Sequence, residues 1–123
     1  MNDEPILNVI FFHTDSGRAP VQQWLKNLDK TDRKTIGGDI QLVQFCWPLG
    51  MPLVKKTENS LWEVRSHISA GRIARVLFTI GDNEMVLLHA FIKKSQKISQ
   101  KDLNLARHRR NLWHSGRNIH EQV

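Results

Sequence analysis

The sequence predicts an α+β domain with the order β-α-α-β-β-β-α and an antiparallel sheet. Three observations predict it. A short, β-branched apolar run near the start precedes two stretches whose apolar residues repeat at helical spacing. Residues 61–94, LWEVRSHISAGRIARVLFTIGDNEMVLLHAFIKK, hold three alternating runs joined by two tight turns. The last quarter returns to helical spacing behind a serine that reads as a cap.

Ile6 to His13 (ILNVIFFH) is the first strand, closed by a turn over Asp15 to Arg18. Pro20 suits the first turn of a helix, where its missing N–H removes no bond. Val21, Trp24, Leu25 and Leu28 follow at helical spacing until Asp29 to Thr31 break the pattern. Asp32 enters the first turn of a second helix, where a negative charge suits the dipole. Ile36, Ile40, Val43 and Trp47 form its buried stripe. Gly37 and Gly38 lie inside it at a cost of about 1 kcal/mol each against alanine, which predicts close packing or a kink. Cys46 reads as a small buried residue, and Trp47-Pro48 ends the helix. Leu49 to Asn59 is a loop or short extended segment. Ser99-Gln100-Lys101-Asp102 resembles a capping box. The last helix turns Leu103, Ala106 and Trp113 to one side, with Leu105 and Leu112 nearby, and Arg107, His108, Arg109 and Arg110 to the other. From His114 the tail is expected to fray.

The turns set a register. Ser69-Ala70-Gly71 ends in glycine, as three-residue hairpin loops favour. Ile68 then pairs with Arg72, Val64 with Val76 and Arg65 with Arg75. One face collects Trp62, Val64, Val76, Phe78 and Ile80. The other receives Glu63, Arg65, His67, Arg75 and Thr79, and a one-residue slip would mix the sets. With Asp82-Asn83 as the second turn, Arg75 faces Ala90 and Leu77 faces Leu88. Leu87 and Phe91 join the core face, while Ala90 and Ile92 join the arginines. His89 falls on the core face and reads as a satisfied, partly buried histidine; a shift of one residue at that turn would bring it opposite Arg75. Lys94 follows Ile92 onto the arginine face, with Lys93 turned away or at the edge. Leu77, Leu88 and Ile92 make this face partly apolar, so the last helix or a partner covers some of it. Like charges directly across a strand pair cost stability. Keeping Arg65 opposite Arg75 therefore points to an anion between them. The plainer alternative is two ordinary solvated strand residues.

The chain has 123 residues, one cysteine and a net charge of +6. That length makes one domain able to bury a core without disulfides. A lone cysteine and the lack of a basic leader or membrane-length apolar run fit the cytoplasm. Residues 1–62 carry seven basic and seven acidic side chains, and residues 63–123 carry eleven and five. The whole excess lies in the half holding the hairpins and last helix, which favours a polyanionic partner such as RNA. An acidic protein would satisfy the charge equally. No spacing of histidine, cysteine or carboxylate suggests a metal site.

LWEVR (61–65), the glycine turn with RIARVLF (72–78), LLHAFIKK (87–94), the following SQKIS with its Arg-rich helix, and APVQQWLKNL (19–28) together resemble a known family. The chain is similar to RelE/ParE superfamily toxins, and most to the phage-derived, HigB-type branch of RelE-like toxins of type II toxin–antitoxin systems. The likeness runs from Ile6 to Trp113 within a single domain of 1–123. It implies two N-terminal helices packed on one sheet face and a C-terminal helix. It also implies an mRNA endoribonuclease that inhibits translation, often on the ribosome, by turning the RNA's own 2′-hydroxyl on the adjacent phosphate, with no metal or cofactor. A cognate antitoxin, commonly a helix-turn-helix DNA-binding protein, neutralises such a toxin, and operator DNA is reached only through it. Arg75 matches the family arginine on the central strand, Arg65 another frequent basic position, and Lys94 or Lys93 the basic position closing the last strand.

Such a reaction needs cations on the phosphate, a base and a proton donor. Arg65 and Arg75 suit bidentate phosphate contact. Lys55, Lys56 and Arg72, with Arg107, Arg109 and Arg110, are candidates for flanking phosphates, or solvated surface residues. Glu63 stands where relatives place a lysine and is a base or an ion-pair partner. There is no tyrosine, which some relatives use near the C-terminus. His67 is a candidate base on the arginine face, though near the turn, and His108 and His114 flank the last helix. Phe91 reads as core or a base-stacking ring. Two other functions stand beside this one: a ParE-like gyrase poison, which needs only a binding surface, and a non-catalytic nucleic-acid or antitoxin-binding prophage remnant.

Overall fold

The computed structural model describes residues 4–93 and 97–122. Strand β1 (Asn8–Phe11) leads to helices α1 (Pro20–Lys26) and α2 (Lys30–Cys46). Four strands follow, β2 (Val54–Glu58), β3 (Leu61–His67), β4 (Ile73–Gly81) and β5 (Glu84–Lys93), and then α3 (Gln100–Gln122). The sheet order is β1-β5-β4-β3-β2.

The α+β class holds, with two differences from the expected order. The sheet is mixed: β1 runs parallel to β5 while every other pair is antiparallel. A parallel neighbour needs a crossover, and here the chain passes through α1, α2 and three strands before returning beside β1. The second difference is β2. Its residues VKKTE carry no apolar alternation, because an edge strand with a bulge between Lys56 and Glu58 buries little beyond Val54.

The sheet is sandwiched. Val21 of α1 and Ile36, Ile40 and Val43 of α2 pack with Val64, Val76, Phe78, Leu87 and Ala90 on one face. Ala106 of α3 packs with Leu61, Leu77, Val86, Leu88 and Phe91 on the other, with Leu103 and Trp113 alongside. The two N-terminal helices therefore share one face. Trp47 closes their layer, edge-on to Trp62 at 5.3 Å and Phe78 at 5.7 Å. Cys46 is exposed rather than buried, and neither Gly37 nor Gly38 is packed, since a Cβ at either would meet nothing within 4 Å. The structure offers no packing reason for that glycine pair. The helix expected to end at His114 continues to Gln122. Among the described residues no helix is long and apolar enough to cross a membrane.

Both expected turns form. Asp82 and Asn83 both take left-handed φ, 49° and 66°, the conformation a two-residue hairpin needs. In the first turn Ala70 joins Gly71 at positive φ. Asp32 holds that turn from α2. Its carboxylate accepts from Ser69 N at 3.1 Å, Ser69 Oγ at 2.9 Å and Arg72 Nη2 at 2.8 Å. The side chain read as a dipole partner is thus a buried tether between layers, 2 % exposed.

Gly81 is where α3 meets the end of β4. A Cβ there would lie 2.7 and 2.8 Å from two ring carbons of Trp113. Gly81→Ala is expected to cost about 1–3 kcal/mol in urea unfolding, and under about 1 kcal/mol in a Trp113→Leu background. Asp32 gives a second test. The Ser69 amide foremost, then the Ser69 hydroxyl and Arg72, hold its carboxyl below the usual carboxylate range of 3.8. A folded pKa below the unfolded one gives stability that is complete above the unfolded value and lost as pH falls through the folded one. The stability gap between wild type and Asp32→Asn should be full at pH 7 and close as pH drops below about 4.

Candidate functional site

Alternation along β3, β4 and β5 puts three rows of side chains on the α3 side of the sheet. Glu63, Leu77 and His89 form one row, Arg65, Arg75 and Phe91 the next, and His67 and Ile73 begin a third. Lys55 of β2 lies opposite Glu63 and extends the first row to the sheet edge. The Arg65–Arg75 pairing is as the turn predicts.

The β5 side of these rows is not as predicted. A bulge between Leu77 and Phe78 of β4 accommodates one extra β5 residue, Leu88. Phe78 still pairs with Leu87, but Leu77 then pairs with His89 and Arg75 with Phe91. His89 and Phe91 therefore join the arginine face, and Ala90 and Ile92 the opposite one. The turn residues were placed correctly; the irregularity lies within the strand. Arg109 of α3 stabilises it. Its guanidinium donates to the Leu88 carbonyl at 2.8 Å and lies 5.8 Å from the Phe12 ring. Burial lowers its pKa from the ordinary arginine value.

His89 Nε2 lies 2.7 Å from Asp102 Oδ1, the carboxylate oxygen accepting, with side chains 16 % and 18 % exposed. Its ring is tilted against Phe91 at 5.6 Å. Asp102 belongs to the capping box read from sequence: its N–H donates to Ser99 Oγ at 3.1 Å, and Ser99 Oγ donates to Asp102 Oδ2 at 2.7 Å.

The arginines differ in access. Arg75 is 1 % exposed on the central strand, whereas the Arg65 side chain is 18 % exposed. Arg65 Nε lies 3.6 Å from Glu63 Oε1 and, among the described residues, has no hydrogen-bond partner. Glu63 is 3 % exposed and offsets part of the like-charge cost, so its position is that of an ion-pair partner. Arg65 and His67 line an open cleft of about 310 Å³ with Thr35, Asp39, Pro52 and Leu53. A larger cleft, about 430 Å³, lies elsewhere, between β1 and α3, lined by Ile10, Phe12, Leu112 and Trp113 among others. It holds none of these cations, so chemistry rather than size selects the arginine face.

The flanking cations mostly have internal work. Arg72 binds Asp32. Lys56 lies over the Trp62 ring at 5.7 Å. Arg107 and Arg110 both grip Glu58, at 2.7 and 2.8 Å, and Arg110 also donates to the Asn59 carbonyl at 2.9 Å. The Arg107 bond foremost, then Arg110, lowers the Glu58 pKa. Lys55 is exposed on the site's row. Lys94 lies outside the described residues. Lys93 closes β5 opposite Ile73. His108 is exposed on α3. His114 bonds Thr79 Oγ1 at 2.9 Å, four residues along β4 from Arg75, roughly 13 Å of strand. Burial first, then Arg110, lowers its pKa. Among the described residues no group of three histidine, cysteine or acidic side chains comes together to hold a metal.

The candidates that share two adjacent rows of this face are thus Lys55, Glu63, Arg65, Arg75 and His89. Sequence reasoning missed Asp102 as a partner of His89; its only sequence signal was the cap.

Replacing Arg109 by methionine keeps the apolar stem and removes the guanidinium donor to the Leu88 carbonyl. Urea unfolding is expected to show a loss of about 1–3 kcal/mol.

Comparison with family models matches residues 23–111 to the family described as "Phage derived protein Gp49-like (DUF891)". The matched span runs from α1 into α3 and contains all five of these residues. Comparison with curated proteins gave no match.

Proposed function

The chain belongs to this Gp49-like, phage-derived family, a RelE-like family of type II toxin–antitoxin toxins, and we propose that it is an mRNA endoribonuclease of the HigB-type branch. The observation that carries the proposal is the row geometry: an accessible arginine, a charge beneath it and a histidine one row away, on one face.

Arg65 meets the scissile phosphate, with Lys55 on the exposed side. Arg75 adds positive charge from beneath, where a low dielectric strengthens it. His89 takes the proton of the 2′-hydroxyl. The 2′-oxygen bonds to phosphorus, the bond to the 5′-oxygen breaks, and that oxygen takes a proton from water. The products are a 2′,3′-cyclic phosphate and a 5′-hydroxyl; His89 then returns its proton to the solvent, so the chain, the RNA and water account for every proton. Charge developing on the phosphate is what the arginines stabilise. In this reading the toxin acts on mRNA at the ribosome and is silenced by a cognate, DNA-binding antitoxin.

The burial of Arg75 favours a second reading, a binding module that no longer cleaves. Induction of the chain in bacteria without its antitoxin separates the two. Growth arrest with new mRNA 5′ ends in primer extension is expected, falling about 10²–10⁴-fold in His89→Ala of unchanged circular dichroism. Arrest without new ends points to gyrase or another target. Absence of arrest supports the binding module.

A further inference from the structure

We propose that Asp102 is a positioning residue: it fixes His89 as the Nε2–H tautomer and leaves Nδ1 to accept the proton. The inference rests on the endoribonuclease reading only for its effect on rate.

Three observations carry it. First, Asp102 Oδ1 lies 2.7 Å from His89 Nε2, and among the described residues this is the only hydrogen bond His89 makes. A carboxylate accepts and does not donate, so a neutral imidazole must place its proton on Nε2. The free nitrogen is then Nδ1. Second, Asp102 cannot swing away cheaply. Its other oxygen holds Ser99 Oγ at 2.7 Å, and its N–H donates to that same hydroxyl at 3.1 Å. The capping box that starts α3 therefore also aims the carboxylate. Third, Asp102 sits in the first turn of a 23-residue helix, where the exposed amides favour a negative charge. The pair is partly buried, at 16 % and 18 %, so water competes weakly for the bond.

The arrangement joins two parts of the fold. The bulge turns His89 toward α3, and the start of α3 supplies its orienting group. A base on one strand and its positioner on a helix 13 residues later come together only when α3 is seated.

The test uses the full chain with ¹⁵N-labelled histidine. Long-range ¹H–¹⁵N spectra are expected to show His89 as Nε2–H in wild type and as a mixture or Nδ1–H in Asp102→Asn, whose amide can donate to Nε2. With RNA, Asp102→Asn should lose about 10²–10⁴-fold in the cleavage rate with RNA affinity unchanged. Ser99→Ala removes the hydroxyl that steadies the carboxylate but keeps the carboxylate itself, so Nε2–H should remain the major tautomer and the rate loss should be at least about tenfold smaller than in Asp102→Asn. A wild-type spectrum showing Nδ1–H, or one unaltered in Asp102→Asn, overturns the inference. Equal rate losses in Ser99→Ala and Asp102→Asn overturn it too, because the role would then be structural. If the tautomer responds but wild type cuts no RNA, the positioning stands and the nuclease reading fails. If wild type cuts and Asp102→Asn cuts equally, the reverse holds.

Discussion

The site depends on the bond between the Arg109 guanidinium and the Leu88 carbonyl. Leu88 is the extra residue of β5, and a bulge leaves backbone groups outside the regular ladder. A buried carbonyl without a donor costs about 1–3 kcal/mol, and at the bulge α3 brings a donor to Leu88. Every residue of β5 beyond Leu88 takes its face from that irregularity. His89 and Phe91 turn to the arginines, and Ala90 and Ile92 turn to the helical layer of α1 and α2. A regular ladder would bury the imidazole among apolar side chains and remove it from the arginine face. Bulges are frequent beside active sites for this reason.

The same helix distributes the positive charge. Of the basic side chains that give the C-terminal half its excess, Arg107, Arg109 and Arg110 bind groups of the chain itself. Glu58 takes two of them at once and ties the edge strand β2 to α3. Among the described side chains of these rows, Lys55 at the edge and Arg65 stay outward, while Arg75 is submerged. The excess of cations in the sequence is therefore a poor measure of the charge offered to a ligand.

Alternation and turn chemistry made β3, β4 and the arginine pair legible, because a glycine-ended loop and an Asp-Asn turn leave few registers. Pro20, Trp47-Pro48 and the Ser99 cap placed helix ends well, since each acts within one turn of chain. The rest needed contacts distant in sequence. No residue type marks Leu88 as bulged; its donor lies 21 positions away. Strand β2 is polar because it is an edge, and β1 pairs in parallel through a crossover that no local pattern announces. Asp32 and Asp102 were each visible as helix-start acids, and each proved to have a second partner across the fold, Ser69 and Arg72 for one and His89 for the other. Local signals reported the half of each interaction that is local.

The central claim is that Arg65 and His89 act on one phosphate. A structure of the chain bound to a short RNA carrying a 2′-deoxy sugar at the scissile nucleotide tests it most directly, because that substrate binds and cannot react. The account predicts the scissile phosphate in hydrogen-bond contact with Arg65 and the 2′ carbon facing His89 Nδ1, with α3 still seated on Leu88. RNA held on another face, or a phosphate out of reach of His89, would contradict it.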